Sequence, residues 1–512
     1  MAEGQFPHRA PRGPGALGAI SHMTKHQELR SLLQQRTIRF IAISAMLIWI
    51  ARIAMRYGDG VRDVDTWWHL SVGNWIVENR AVPHSGLFSL TAAGRPWVAY
   101  SWGYEVILSR AYNWYGLVGI GMYGIFLSLA ISYVVFWSLQ RLSGRFWTAW
   151  LLAACTLYAF LFMLMPRPVF VSIVAYVILL TTLLVADRCG QVQQLFWLPA
   201  LFLVWANIHI QFIYGLFVFG LFVAAQIRPK LPRALGFMSS DLRSTSLPAK
   251  PLLLLFLASV GATFVGPYGY HLYAVILAYS QAHYSYRMIG ELQPLSFRLG
   301  NHFVQLLLTA TSFVALGWQK KVDPFKVALL LIATVVGFRT LRDSWFIAIT
   351  ASALIADSLP PGGDTEQTWK EIGAMAAITA LFIALCSDHY GFNERELDRS
   401  VSDKFPVNAA NFLRVNPLPG PLYNNLDWGG FLIWYMPQYP VAIDGRNDLY
   451  GDALDRTFHR AQDAVEYKDD PYLNNAGCVL LEKRYALSTV LKFDPRFVVV
   501  YEDPIAVILT RR

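Results

Sequence analysis

The chain has 512 residues, of which 55% are hydrophobic and only 15% charged; a soluble protein of this size would carry about a quarter charged residues, so an ordinary soluble enzyme is excluded. The formal charge of +9 comes from Lys and Arg clustered in alternate loops. That pattern marks membrane orientation and excludes nucleic acid as the expected partner. The four Cys, at 155, 189, 386 and 478, show no CxxC or Cys/His spacing, so neither a disulfide framework nor a zinc site is expected.

Residues 1–36 read as a cytoplasmic segment without fixed structure, rich in Gly, Pro and Ala at its start, with Met23 as a second candidate start. No cleavable signal peptide is expected, which leaves the first span as an anchor. A span needs about 20 mostly apolar residues, fewer where an end is buried in protein, and about eleven are read here. They fall at 37–56, 117–138, 147–164, 168–186, 193–209, 211–227, 251–266, 302–318, 325–339, 344–357 and 370–387. Together they define a helical polytopic domain over 37–387. Lys25, Arg30, Arg36 and Arg39 precede the first span; Arg141 and Arg145 follow the second and Arg188 the fourth. Arg228, Lys230, Arg233, Arg243 and Lys250 lie between the sixth and seventh, and Lys320, Lys321 and Lys326 between the eighth and ninth. By the positive-inside rule that side is the cytoplasm. The loops 57–116 and 267–301, and everything after 388, are then extracytoplasmic.

The first outer loop opens with Asp63-Val64-Asp65-Thr66-Trp67-Trp68-His69-Leu70. Trp68, Val72, Trp75 and Ile76 recur at helix spacing, so residues 66–79 are expected to lie flat on the outer leaflet. Asp65 reads either as the N-cap of that helix, with Asp63 solvated, or as one of a pair acting as general base or metal ligand toward a lipid-borne substrate. Glu105 starts a second helical pattern beyond Tyr100 and is a further acid for the site or a surface charge. Arg167 lies between Pro166 and Pro168 at an outer edge, against the positive-inside bias, and so is expected to pair with an acid or a phosphate. Asn207 and His209 end an apolar span. Tyr268 and Glu291 sit in the second outer loop. Arg339 and Arg342 flank Leu341 beside Asp343; converging with Arg167 they would form an anion clamp.

The tail from 388 carries Asp, Glu, Asn and Pro throughout, and reads as a small α/β domain over 388–512. Strands are expected at Val441–Ile443, Cys478–Leu481, Phe497–Tyr501 and Ile505–Leu509, helices at Val407–Val415 and Ala486–Lys492, and a hairpin turn at Glu502-Asp503-Pro504. Asp427, in Asn424–Gly430, and Asp444 and Arg446, in Ile443–Asp448, are candidate ligand residues, although Asp-Gly is equally a turn signal.

The run Asp63-x-Asp65-Thr-Trp-Trp-His-Leu with Gly73, then Pro83 to Ser89 and Gly94-Arg95-Pro96-Trp97, resembles bacterial multi-span proteins of the GT-C glycosyltransferase superfamily. The nearest group is the one with protein-mannosyltransferase-like and lipopolysaccharide-core glycosyltransferase-like domains. Arg167-Pro168, Trp205 to His209, Pro267-Tyr268-Gly269, Asp427 to Gly430 and Asp444-Gly445-Arg446 extend the resemblance over most of the chain; Ile210-Gln211 stands where a glycine is expected after the His. The resemblance implies a polyprenyl-phosphate-linked sugar as donor, Asp65 or Asp63 as base or as ligand of a divalent cation (Mg or Mn), and outer-face Arg residues on the donor phosphate. His69, Glu105, Asn207, His209, Tyr268 and Glu291 are the candidate substrate-lining residues.

Two readings follow. One is a membrane glycosyltransferase moving a sugar from a polyprenyl phosphate to an envelope glycan, lipid or protein acceptor. The other is a non-catalytic scaffold of similar fold that handles the lipid carrier. A transporter ranks below both, because its polar residues would sit near the midplane in paired broken helices rather than at the outer ends of spans.

Overall fold

The structure, a computed structural model, describes residues 15–57, 60–161, 165–227, 247–281, 283–321 and 323–512. In chain order the helices are α1 (Gly15–Tyr57), α2 (Val64–Asn79), α3 (Trp102–Ser143), α4 (Phe146–Ala159), α5 (Val169–Cys189), α6 (Leu198–Ala206), α7 (Phe212–Ile227), α8 (Ala249–Ala262), α9 (His271–Gln281) and α10 (His283–Met288). They continue as α11 (Gly300–Gly317), α12 (Pro324–Arg339), α13 (Ser344–Ser358), α14 (Trp369–Cys386), α15 (Glu394–Lys404), α16 (Val407–Val415), α17 (Leu426–Tyr435), α18 (Asn447–Gln462), α19 (Pro471–Asn475) and α20 (Ala486–Leu491). Each apolar stretch read as a span contains a helix among its described residues, as α1, α3 to α8 and α11 to α14. Among the described residues, four helices are long and apolar enough to cross a membrane: Leu33–Tyr57, Trp102–Ser143, Val169–Cys189 and Trp369–Cys386. The chain is a multi-pass helical membrane protein. Helix α14 turns Ile378, Leu381 and Leu385 outward, as a helix facing lipid can, because its backbone is satisfied internally.

Helix α1 begins at Gly15, well ahead of its apolar part, so the segment expected to lack fixed structure is helical from that residue on. Arg228, Lys230, Arg233 and Arg243, used above for orientation, lie outside the described residues.

The two ends of the bundle differ in chemistry. At one end Arg39 pairs with Asp364 at 2.6 Å, Arg141 with Glu366 at 2.9 Å, and both Arg188 and Lys326 with Asp357 at 2.5 Å. At the other, the α1–α2 loop, the starts of α3 and α5, the α6–α7 corner, the 3₁₀ turns Gly290–Leu292 and Leu341–Asp343, and the tail converge. The basic spans' ends and the tail thus lie at opposite ends of the bundle.

The tail's sheet has the order β1-β2-β4-β3. Strand β1 (Leu422–Asn424) runs parallel to β2 (Cys478–Glu482), and β3 (Phe497–Glu502) and β4 (Ala506–Arg511) form an antiparallel hairpin. Its turn is set by Asp503, whose carboxylate accepts from the amides of Ile505 and Ala506 at 2.9 and 2.7 Å. Val441–Ile443 is not a strand of this sheet; Leu422–Asn424 is. Val441 instead exchanges backbone hydrogen bonds with Phe88 and Leu90 of the first loop, at 3.0 and 2.8 Å. An apolar triplet cannot reveal from sequence alone which edge it pairs with.

Helix α2 also departs from expectation. It does not lie flat at a surface: Trp67, Trp68, His69, Leu70, Ser71, Val72 and Gly73 are all buried, between α3 and α17. Trp67 packs edge-on against Phe405 and Phe431 and lies 4.5 Å from Trp434, ring centre to ring centre. The tail supplies the apolar surroundings that lipid was expected to supply. At Gly73 the helices α2 and α3 cross so closely that a Cβ would lie 2.1 Å from the Glu105 carbonyl oxygen, which only glycine permits.

Candidate functional site

Asp63 is the N-cap of α2. Its carboxylate accepts from the Asp65 amide at 3.1 Å, satisfying one of the N–H groups a helix start leaves open. Arg167 then grips it in a two-pronged ion pair, Nε to Oδ2 at 2.5 Å and Nη2 to Oδ1 at 2.9 Å. The third prong, Nη1, donates to Glu291 Oε1 at 2.6 Å. Burial acts to raise the Asp63 carboxyl, but the charge and hydrogen bonds of Arg167 outweigh it and hold the group below the usual carboxylate range. Asp63 is thus sealed in, its side chain 1% exposed.

Asp65 is placed differently. Its side chain is 27% exposed and faces a cavity of about 600 Å³. Oδ1 accepts from Trp68 Nε1 at 3.0 Å, and Oδ2 lies 3.6 Å from Arg167 Nη2. Enclosure by protein pushes its carboxyl up to about 6, against the pull of Arg167 and with the help of the Asp63 charge. The tail reaches this atom directly: a Cβ on Gly445 would lie 2.3 Å from Asp65 Oδ1.

Trp68 and His69 continue the wall. The two rings sit 3.5 Å apart, and His69 Nδ1 is hydrogen-bonded to Glu105 Oε1 at 3.0 Å. Burial pushes His69 down to about 3, so the imidazole is neutral at ordinary pH and the contact is a hydrogen bond between partners that share a proton, not an ion pair. Glu105 stands behind His69, with Oε2 buried and unpartnered among the described residues.

The remaining walls come from distant parts of the chain. Arg167, His209, Gln211, Tyr279, Glu291, Arg342 and Asp343 face the cavity from the bundle, and Asp427, Asn447 and Asp448 from the tail. Arg342 makes no hydrogen bond or ion pair with the described residues; Glu291, Tyr100 and Tyr279 act on it only through space. Arg167, by contrast, is committed to Asp63 and Glu291. Asp343 accepts from Thr340 Oγ1 at 2.7 Å and Gln211 Nε2 at 3.1 Å.

Of the residues read from sequence, Asp65, His69, Arg167, His209, Glu291, Arg342 and Asp427 are brought together on this cavity. His209 is tied by Nδ1 to Ser172 Oγ at 2.8 Å, and Asp427 is paired with Arg484 at 2.9 Å. Several others are not on it. Asn207 caps α6 and donates to the carbonyls of Leu203 and Val265, both at 2.8 Å. Tyr268 donates to the Pro83 carbonyl at 2.6 Å. Arg339 is exposed at the end of α12, outside the cavity wall. Asp444 and Arg446 form a fully buried pair at 2.7 Å, with Arg446 also donating to the Leu87 carbonyl at 2.8 Å and lying over the Trp97 ring. They fasten the tail to the first loop, and the residues beside them, Gly445 and Asp448, meet the cavity. Polar residues at loop–span corners serve as readily to close backbone hydrogen bonds as to meet a ligand.

Among the contributors not singled out as site residues are Asp448, Tyr100 and Tyr279. Asp448 lies in the run Ile443–Asp448, yet nothing in that run marks which of its acids turns inward. Tyr100 and Tyr279 bring their hydroxyls within 3.0 Å of each other from segments far apart in sequence.

Among the described residues no group of three or more His, Cys, Asp or Glu could hold a metal ion. Of the two acids considered for a divalent cation, Asp63 has both oxygens taken by Arg167.

No protein-family model matches the sequence, and neither does any curated protein. Among solved structures, the chain is similar to the crystal structure of ArnT from Cupriavidus metallidurans bound to undecaprenyl phosphate, at 12% identity and a TM-score of 0.45, over 93% of this chain and 98% of that one. At that level no residue's role passes from one to the other.

Proposed function

We propose that this protein is a membrane glycosyltransferase, acting on a sugar linked to a polyprenyl phosphate, with its cavity on the outer face of a bacterial inner membrane. The observation that carries the reading is Arg342: a guanidinium in a protein-lined cavity, at the end of an apolar bundle, without an ion partner among the described residues. A cation so placed is costly unless an anion meets it, and a guanidinium fork matches a phosphate. Asp65 supplies the complementary chemistry in the same cavity. Its carboxylate would accept the proton of an acceptor hydroxyl as that oxygen attacks the anomeric carbon. The bond from the anomeric carbon to the phosphate oxygen breaks, and the phosphate leaves with its charge met by Arg342. Asp63 acts through Arg167, which fixes the start of α2 and thereby the place of Asp65. Arg167 also stands on this wall, as a second positive charge already balanced by acids. The GT-C resemblance of the Asp63–Leu70 run agrees with this assignment. The reaction as written uses no metal.

The test is transfer by the purified protein in lipid, offered a panel of radiolabelled polyprenyl-phosphate sugars, with and without Mg²⁺, Mn²⁺ or a chelator. Donor breakdown that survives the chelator and disappears in Asp65→Asn supports the reading. Lipid binding without breakdown of any donor would instead support the scaffold.

A further inference from the structure

Asp448 of the tail and the pair Tyr100 and Tyr279 line the same cavity. Asp448, in the first turn of α18, accepts from Trp97 Nε1 at 3.0 Å, which fixes its carboxylate at the wall. Tyr100 and Tyr279 share one hydrogen bond between their hydroxyls, which leaves the pair with one O–H still to donate. Asp448 and Arg342 each act through space on both tyrosines, so the four groups form one neighbourhood. A carboxylate acceptor, a phenol donor and aromatic edges are what a neutral, hydroxyl-bearing ring needs: its O–H groups donate to the acid and accept from the phenol. The neighbouring guanidinium places that ring next to a phosphate. In a glycosyl phosphate the sugar attached to the phosphate satisfies this spacing by construction.

Resting on the glycosyltransferase reading, we infer that Asp448, with Tyr100 and Tyr279, forms the donor-sugar subsite, and that the tail therefore sets which sugar is accepted. Asp448 is assigned to specificity here, since Asp65 is the base of the proposed reaction. A polar site built to bond hydroxyls discriminates strongly against rings that lack them, because its buried groups are left unpaired.

The experiment compares binding of polyprenyl phosphate and of its glycosylated form to the full-length protein in nanodiscs, for wild type, Asp448→Asn, Tyr279→Phe and Arg342→Ala. Asp448→Asn and Tyr279→Phe should bind the sugar-free carrier as wild type does, and lose about tenfold or more in affinity for the glycosylated one. Arg342→Ala should weaken both alike. Equal loss of both lipids in Asp448→Asn, or no loss of either, overturns the subsite while leaving the glycosyltransferase reading in place. A wild-type protein that binds neither lipid overturns both. Thermal midpoints of the variants, read alongside, separate a lost contact from a lost fold: a melted Asp448→Asn defers to Tyr279→Phe, whose selective loss or its absence decides the case.

Discussion

Replacing Gly445 by alanine puts one methyl group between the tail and the carboxylate assigned as base. The new Cβ would lie 2.3 Å from Asp65 Oδ1 and 3.2 Å from Trp68 Nε1, whereas ordinary contact begins at 3.4 Å, so about 1 Å must be found. The tail cannot retreat. Asp444 and Arg446, on either side, are bonded to each other, Arg446 also donates to the Leu87 carbonyl, and the backbone at Ile443 lies so close to Gly429 that a Cβ there would meet its oxygen at 2.0 Å. The flexible partner is the Asp65 side chain, which must swing off Trp68. Overpacking of this kind costs on the order of 1–3 kcal/mol, and the lower end applies because one side-chain rotation relieves it. A displacement of about 1 Å at a reacting group costs roughly 100-fold in rate. Gly445→Ala should therefore fold, with a slightly lower thermal midpoint and unchanged KM for the donor, and lose about two orders of magnitude in kcat. The assay is donor breakdown in nanodiscs with melting followed in parallel. A kcat within about twofold of wild type, in folded protein, would refute the role of Asp65 or the rigidity of the tail around it.

Arg342→Ala should raise KM for the glycosyl phosphate by about tenfold to a hundredfold, the worth of a charged hydrogen bond, while Arg342→Lys recovers part of it; steady-state kinetics over donor concentration decides. With the Asp65 carboxyl raised to about 6 in the free protein, transfer should fall as pH drops through 6, an acid limb visible in kcat/KM and absent from the residual activity of Asp65→Asn. The same shift makes a stability prediction. The folded pKa stands above the unfolded value of 3.8, so the charged form is disfavoured by folding and wild type loses stability as pH rises from about 4 through 6; Asp65→Asn should melt higher than wild type at pH 8 and alike at pH 4. Asp63→Asn should act oppositely. It strips a buried partner from Arg167, and breaking such a pair costs about 3–5 kcal/mol, less here because Arg167 is partly exposed. Since the Asp63 carboxyl is held below 3.8, the wild-type advantage is fully present above that pH and is lost only on further acidification, which melting curves from pH 3 to 8 will show.

The membrane domain was legible because its signal is local. Each apolar stretch contains the length and hydrophobicity that make it a helix, and alternate Lys and Arg clusters mark its ends. The meeting of Arg167 with Asp63 was legible in kind, since an Arg held by two prolines at an outer edge needs an anion, though not in identity: its strongest partner is protein, and the cavity guanidinium without an ion partner among the described residues is that of Arg342. Helix α2 misled because an apolar stripe at helix spacing (Trp68, Val72, Trp75, Ile76) reads the same whether lipid or protein covers it; the covering partner, α17, lies far along the chain. The contributions of Asp448 and Tyr279 were hidden for the same reason. Nothing in a run of Asp, Gly and Arg tells which residue ties two segments together, as Asp444 and Arg446 do, and which meets a ligand. Asn207 and Tyr268 show the converse, polar residues in the expected place that serve the backbone.

The most direct test of the central claim is a structure of the protein in a lipid nanodisc with a bound polyprenyl phosphate. The phosphate should lie within hydrogen-bonding distance of the Arg342 guanidinium, inside the cavity and beside Asp65, with Arg167 still bound to Asp63. A carrier lipid seated elsewhere on the bundle, with Arg342 turned away from it, would contradict the assignment.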